Sequence, residues 1–472
     1  MSETPTPVEA YGRWVAETDG DWGEDALHSA HRQFIDTLAV MVPGAAEPVT
    51  HKAMALARQW GSGPVRAVGF ADTLSAPMAA MVNGTAGHAL DFDDNFDPPK
   101  GHSSTVLVPA ILAVADLEGL SGAACLDAYI AGLQIQGRVG QALNPYHRDR
   151  GWHATATTGA VGAAAAVARL LKLDGEAAGR AISISTSMAA GFMSQFGTMT
   201  KPLHAGLAAK AGVMAGYFAR EGITAGRHTL DGRTGMNTLM VGPDLKTLRA
   251  RLENPDHGHS LRFEMDHIGD PLLITEHAFR VKRFPNCGAA HRAMDGVLDL
   301  ITQQRLGADD IAEVHVHAPR VHFNNLMYTA PETGLGAKFS MEYALACLIA
   351  TGKCTLADFT DEAVRRPDVR ALFDRIHRHP VDALEGHCPT EVVVLLKDGV
   401  ELTSTVTMPR GSKPAPFSDA EYWQKFESCT APHMTETDRA ALAAALKGLR
   451  RADSIDDLAA SYGRALDTGD RA

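Results

Sequence analysis

The densest run of side chains able to move protons or hold ions is His88-Ala-Leu-Asp91-Phe-Asp93-Asp94-Asn95-Phe-Asp97-Pro-Pro-Lys-Gly-His102, with four carboxylates and two imidazoles in fifteen residues. Carboxylates this close raise one another's pKa unless a cation or hydrogen-bond donor intervenes, so the run costs free energy unless it has a task. The competing reading is an acidic, solvated loop after a helix.

Three further loops carry basic or titratable groups. In Asn144-Pro-Tyr146-His147-Arg148-Asp-Arg150-Gly-Trp152-His153 a polar, aromatic loop runs into an apolar helix. That places Tyr146, Arg148 and His153 at a helix N-terminus, where backbone N–H groups favour a bound carboxylate. Simple capping by Thr155 or Thr157 is the alternative. In Phe196-Gly-Thr-Met-Thr-Lys201-Pro202-Leu-His204 the lysine is expected just before a helix, able to neutralise an anion or, if its pKa is depressed, to act as a base. The run Arg280-Val-Lys282-Arg283-Phe-Pro-Asn-Cys287-Gly-Ala-Ala-His291 gathers three cations, a thiol and an imidazole, which suits a small di- or tricarboxylate. Cys287 reads better as a structural thiol than as a nucleophile. His315 and His317 share one face of a strand without a clear third ligand, so they read as surface or packing residues and no metal site is expected.

The elements that must position these groups fall into two styles. From about residue 25 to 265, Ala- and Gly-rich segments with apolar residues every three or four positions predict helices: 78–90, 105–117, 123–143, 154–171, 176–190 and 205–220. Near residue 270 strand chemistry begins. Val314-His315-Val316-His317 alternates, and residues 391–407 read as two β-rich runs around a Lys397-Asp398-Gly399 turn, a hairpin. Residues 339–351 and 361–377 predict helix between the strands, and 419–426, 435–449 and 454–466 predict helix after a Pro/Gly/Ser-rich stretch. The expected fold is an α architecture with an inserted α+β domain: residues 1–269 and 409–472 form an all-helical domain from both chain ends, and 270–408 form a smaller α+β domain.

Composition narrows the class. The 472 residues carry 44 basic and 56 acidic side chains, a net charge of −12, which removes the generic electrostatic footprint for nucleic acid while leaving local cationic loops possible. Six cysteines without a CxxC pair argue against a disulfide framework or a cysteine zinc site. The polar N-terminus MSETPTPVEAYGRW lacks a signal-peptide pattern and the apolar stretches are too short or interrupted for a membrane span, so a cytoplasmic enzyme is expected.

Taken in order, HALDFDD, GWHATATTGAVGAAAAVARLL, GTMTKPLHAG, KRFPNCGAAH and AKFSMEYALA resemble the MmgE/PrpD family, which includes 2-methylcitrate dehydratases, cis-aconitate decarboxylases and iminodisuccinate epimerases. The likeness spans about residues 10 to 460. It implies an all-helical domain from both termini, an inserted α+β lid domain, a homodimer, no cofactor and a small polycarboxylate substrate. It points to Asp91, Asn95, His102, His153, Lys201, Lys282, Cys287 and Tyr343, with Tyr146 and His291 added from their loops. Asp91, His102, Tyr146, His153 and Lys201 are the expected catalytic set. Asn95, Lys282, Cys287, His291 and Tyr343 are the expected substrate contacts. Decarboxylase-like members have Thr at the Asn95 position and some have His at the Cys287 position. The expected reaction is therefore dehydration of the 2-methylcitrate type, with epimerisation of an imino- or aminodicarboxylate, using Lys201 and Tyr146 as opposed bases, or decarboxylation as alternatives. From another class, Asp93-Asp94-Asn95-Phe96-Asp97 has the spacing of the magnesium-diphosphate motif of isoprenoid synthases, but the second acidic motif those enzymes need is missing.

Overall fold

A computed structural model describes residues 4–252, 258–383 and 388–466. The chain forms two compact units, one built from residues 1–89, 93–279 and 418–472, the other from 90–92 and 280–417.

The first unit is helical. Its inner helices, Ala76–Ala89, Ser104–Glu118, Gly122–Leu143, Ala154–Leu170 and Thr200–Arg220, are buried over most of their circumference, as helices rich in small and apolar residues must be. Side-chain size sets how closely they approach. A Cβ on Gly206 would lie 2.2 Å from the Met81 carbonyl oxygen, and one on Gly84 would lie 2.9 Å from Gly206 Cα, so Ala76–Ala89 and Thr200–Arg220 cross with their backbones in contact. Both chain ends enter this unit. Lys425 of the helix Asp419–Thr430 pairs at 2.8 Å with Asp36 of the helix Gly23–Ala45, both buried.

Several element boundaries differ from expectation. The Lys201 helix begins at Thr200, not near 205, because Pro202 falls in the first turn, where its missing N–H is not needed. The helix expected to run to residue 190 stops at Thr186, where Ser185 and Thr186 hydroxyls bond back to the carbonyls of Ile182 and Ser183 at 2.6 and 2.7 Å. Residues 270–279 pack with the helical unit, where Leu273 N–H donates to Gln134 Oε1 at 2.8 Å.

The second unit holds a four-stranded mixed sheet in the order 376–381, 311–319, 390–396, 401–406, of which the first pair is parallel and the others antiparallel. The expected hairpin forms, with Gly399 at φ 90° in its turn. Val314, Val316, Val392 and Val394 turn one face into a core shared with Ala293, Met294 and Val297 of the helix His291–Gln304 and Leu345 and Leu348 of the helix Met341–Thr351. The alternate residues of the same strands form the outer face. The helix expected over 361–377 is instead three short turns, Asp361–Val364, Pro367–Arg370 and Phe373–Arg375, followed by the strand Ile376–Val381. Pro367 has no N–H to continue the first turn.

Candidate active site

The helical unit gathers its titratable side chains from one helix end, one connecting loop and two helix starts. His88 is in the last turn of Ala76–Ala89. Asp93 folds back on it, so that His88 Nδ1 lies 2.7 Å from Asp93 Oδ2. His102 Nδ1 approaches the same oxygen at 3.3 Å, and Asn95 Nδ2 lies 3.3 Å from His102 Nε2. The His102 backbone N–H donates to Thr155 Oγ1 at 3.1 Å, which fixes this loop on the first turn of Ala154–Leu170.

His153 is the N-cap of that helix, its carbonyl accepting from Ala156 and Thr157 N–H at 2.9 and 3.1 Å. Its side chain turns into the unit. The ring stacks on His88 with centroids 5.8 Å apart, meets Phe196 edge-on at 5.0 Å, and places Nδ1 3.1 Å from Nδ1 of His204. His88 and His102 rings are 4.6 Å apart. Lys201, one turn before His204 on the same helix, is 5% exposed and holds its ammonium 5.2 Å from the centre of the Phe196 ring.

Burial pushes the His88 imidazole down to about 4, against the pull of Asp93, and holds His153 well below the usual histidine range, with the neighbouring His88 and the Lys201 ammonium acting in the same direction. His204 is lowered by burial and by Lys201. Burial alone would raise Asp93, but His88 and His102 outweigh it and keep the carboxylate well below its ordinary range. At neutral pH Asp93 is therefore an anion accepting the Nδ1 proton of a neutral His88, which leaves the lone pair on His88 Nε2. That nitrogen is buried and has no hydrogen-bond partner among the described residues. Between His153 and His204 one nitrogen carries the shared proton and the other accepts it. The cluster thus pairs neutral imidazoles, able to take or give a proton, with a cation able to offset charge developing on a carboxylate.

Asp94 faces elsewhere. Its carboxyl bonds to Ser104 Oγ, which in turn lies 2.6 Å from Tyr129 OH. Burial, with Asp36 and Asp93 nearby, pushes Asp94 up to about 8, so it holds its proton at neutral pH. The diphosphate-motif reading is corrected here, since its first two carboxyls take different partners and only one of them is charged. His88, Asp93 and His102 present ligand atoms within 4.8 Å of one another, an N₂O set that suits a zinc-like ion, although His88 Nδ1 and Asp93 Oδ2 already satisfy each other.

Of the residues expected from sequence, Asn95, His102, His153 and Lys201 come together in this cluster. Tyr146 does not join it: it starts a separate one-turn helix, Tyr146–Asp149, half-buried, and no hydrogen bond links it to the cluster among the described residues. Its neighbour His147 is the one buried, with Nε2 2.9 Å from Thr157 Oγ1.

The remaining five lie in the second unit. Lys282 Nζ donates to the Asp91 carbonyl at 2.7 Å and pairs with its carboxylate at 3.1 Å, both groups buried, so this lysine, expected on a substrate carboxylate, has an internal partner. Asp91 has φ 52°, a conformation uncommon for a side-chain-bearing residue. Cys287 is half-buried against the apolar core, and its N–H donates to the Lys338 carbonyl at 2.9 Å. His291 Nε2 meets Asn286 Oδ1 at 2.9 Å. The Tyr343 hydroxyl donates to the Asp358 carbonyl and its ring packs on Phe359, so Tyr343 is part of the core.

Sequence reasoning assigned no role to His88 beyond membership of an acidic run, gave Asp93 only a place in the diphosphate spacing, and missed Phe196 and Lys338. Lys338 donates to the carbonyls of Leu90 and Pro285 at 2.6 and 2.8 Å. The available signal was a lysine between apolar residues directly ahead of a helix, a costly place for a cation without acceptors.

Residues 10–248 match the MmgE/PrpD N-terminal domain and residues 284–450 match the MmgE/PrpD C-terminal domain. Among curated proteins, the chain is 26% identical to a cis-aconitate decarboxylase of Homo sapiens over 426 residues, covering 87% of this chain and 84% of the relative. It is 28% identical to that of Mus musculus over 421 residues, covering 85% and 82%. It is 26% identical to that of Aspergillus terreus strain NIH 2624 over 474 residues, covering 95% and 91%. With both domain matches in order and relatives aligned along most of their length, the chain belongs to the MmgE/PrpD family.

Proposed function

We propose that this protein is a lyase acting on a small tricarboxylic acid, with decarboxylation of an aconitate-type substrate as the first reading. The observation that carries it is the cluster of neutral, buried imidazoles at His88, His153 and His204 beside the Lys201 ammonium. Decarboxylation breaks a C–C bond and leaves its electron pair on carbon. In an unsaturated tricarboxylate the pair forms a new double bond as the old one shifts, and the far carbon takes a proton. Charge accumulates on the carboxylate next to that carbon, where Lys201 opposes it, and preorganised opposition of this kind is usually the larger part of a rate enhancement. His102, hydrogen-bonded to Asn95, with Nδ1 3.3 Å from Asp93 Oδ2 and its side chain 13% exposed, is the cluster member best placed to pass a proton between solvent and substrate. His153, held by the helix start and by His204, is the second candidate donor.

The relatives' names favour decarboxylation over the dehydration expected from sequence. Dehydration remains the second reading, because the same imidazoles could remove a proton next to a carboxylate and protonate a departing hydroxyl. Epimerisation loses support because Tyr146, one of its two expected bases, lies outside the hydrogen-bonded cluster. A panel of di- and tricarboxylates offered to the purified protein, with products identified by mass, separates the three. Loss of carbon dioxide supports the first reading, loss of water the second, and unchanged mass with solvent deuterium on carbon the third. No turnover of any acid in the panel overturns the proposal.

A further inference from the structure

We propose that the outer face of the four-stranded sheet is a binding site for a divalent transition-metal ion, held by His315, His317, His377 and His379. In the sequence these are two separate His-X-His triplets about sixty residues apart, and the first lacks a third ligand. The fold supplies it. Strands 311–319 and 376–381 are parallel neighbours in a register that sets His315 beside His377 and His317 beside His379. Residues two apart in a strand share a face, so all four imidazoles stand on one side of the sheet. Val314 and Val316 point the other way into the core and Arg378 is held by Glu342, so both triplets are anchored from beneath.

Only His315 and His379 already turn ring nitrogens toward each other; His377, stacked on His315 with 26° between ring planes, and His317, stacked on His379 with 13°, must rotate to reach the same ion. Centroids lie 4.9 Å apart for His315 and His377, 5.2 Å for His315 and His379, and 4.4 Å for His317 and His379. His315 Nδ1 is 3.0 Å from His379 Nε2. Two imidazole nitrogens on a tetrahedral zinc at a bond length of ~2.05 Å would be about 3.3 Å apart, so replacing the shared proton with an ion needs little movement. Glu313 Oε2 lies 3.0 Å from His315 Nε2 and 3.7 Å from His377 Nε2, and Glu391 is the register partner of His317 on the other side, adding negative charge beside the imidazoles. All four histidines keep part of their surface open to solvent, so an ion can enter and retain water ligands. Imidazole donors select zinc, copper or nickel over magnesium or calcium.

The test is titration of the full-length protein with Zn²⁺ and with Cu²⁺ in a non-chelating buffer at pH 7.5, read by calorimetry and, for copper, by nitrogen hyperfine structure in the electron paramagnetic resonance spectrum. The expected result is one ion bound per chain with several nitrogen ligands, and affinity at least about tenfold weaker in H315A/H379A, since loss of even an outer-shell partner costs that much. These residues lie outside the proposed catalytic cluster, so turnover of the double variant should match the parent, which also shows that it folds. The single variants H317Q and H377Q, which keep similar bulk, should each weaken binding. The proposal is overturned if the parent binds neither ion, or if H315A/H379A binds as tightly as the parent, which would place the ion elsewhere, for example on His88, Asp93 and His102.

Discussion

His153 and His102 reach the cluster by different routes, one as the first residue before a helix and the other at the end of a loop pinned by Thr155. If they carry protons in catalysis, H153A and H102A should each lower kcat by about a hundred- to ten-thousandfold with the fold intact, as expected for loss of a general acid or base. K201A should raise KM as well as lower kcat, because its cation is placed to meet bound and developing charge alike. Steady-state kinetics with far-ultraviolet circular dichroism on the same samples checks all three. These residues were legible as motif-bearing loops feeding helices. Their partners were not, because His153 meets a histidine 51 positions away and only the fold reports that. Lys282 looked like a free cation in sequence for a related reason: its partner Asp91, which it meets through both carbonyl and carboxylate, is 191 positions away.

The helices hold this geometry through close backbone contact. At the crossing of Ala76–Ala89 and Thr200–Arg220, which carry His88 and Lys201 respectively, G206A would drive a methyl to 2.2 Å from the Met81 carbonyl oxygen. Overpacking of this sort costs about 1–3 kcal/mol, so chemical denaturation should show a loss in that range, and kcat should fall because the two helices are forced apart. The inner helices of the first unit were legible from the Ala/Gly periodicity, whereas Gly23–Ala45, Pro48–Trp60 and His291–Gln304 were not singled out. Helix starts and stops were less legible: Pro202 looked like a helix boundary and proved to be a first-turn residue, whereas serine and threonine hydroxyls ended a helix that periodicity alone would have continued. The sheet unit shows the limit most clearly. Residues 376–381 pair parallel with 311–319, a contact that local alternation does not encode, and without that pairing His377 and His379 had no visible connection to His315 and His317.

Across the whole molecule, buried neutral histidines make stability depend on pH. Burial takes His88 down to about 4 and His147 down to about 3, from an ordinary value of 6.5. Below about pH 6.5 the unfolded chain binds protons that the folded one refuses, so these groups' contribution is present at neutral pH and is lost as pH falls toward their folded values. Denaturant unfolding measured from pH 7.5 to pH 4 should therefore show falling stability, and H147Q should make that decline shallower because glutamine has no proton to gain. The same burial bears on the dehydration reading, since an imidazole kept neutral retains the lone pair that proton removal needs. Whether this cluster drives cofactor-independent lyase chemistry on a polycarboxylate is decided by incubating the protein with cis-aconitate in deuterium oxide containing EDTA and following product mass. The expected product is lighter by one carbon dioxide, carries one solvent deuterium on carbon, and forms at the same rate with and without the chelator. Recovery of the starting acid unchanged, or product formation that EDTA abolishes, would contradict that assignment.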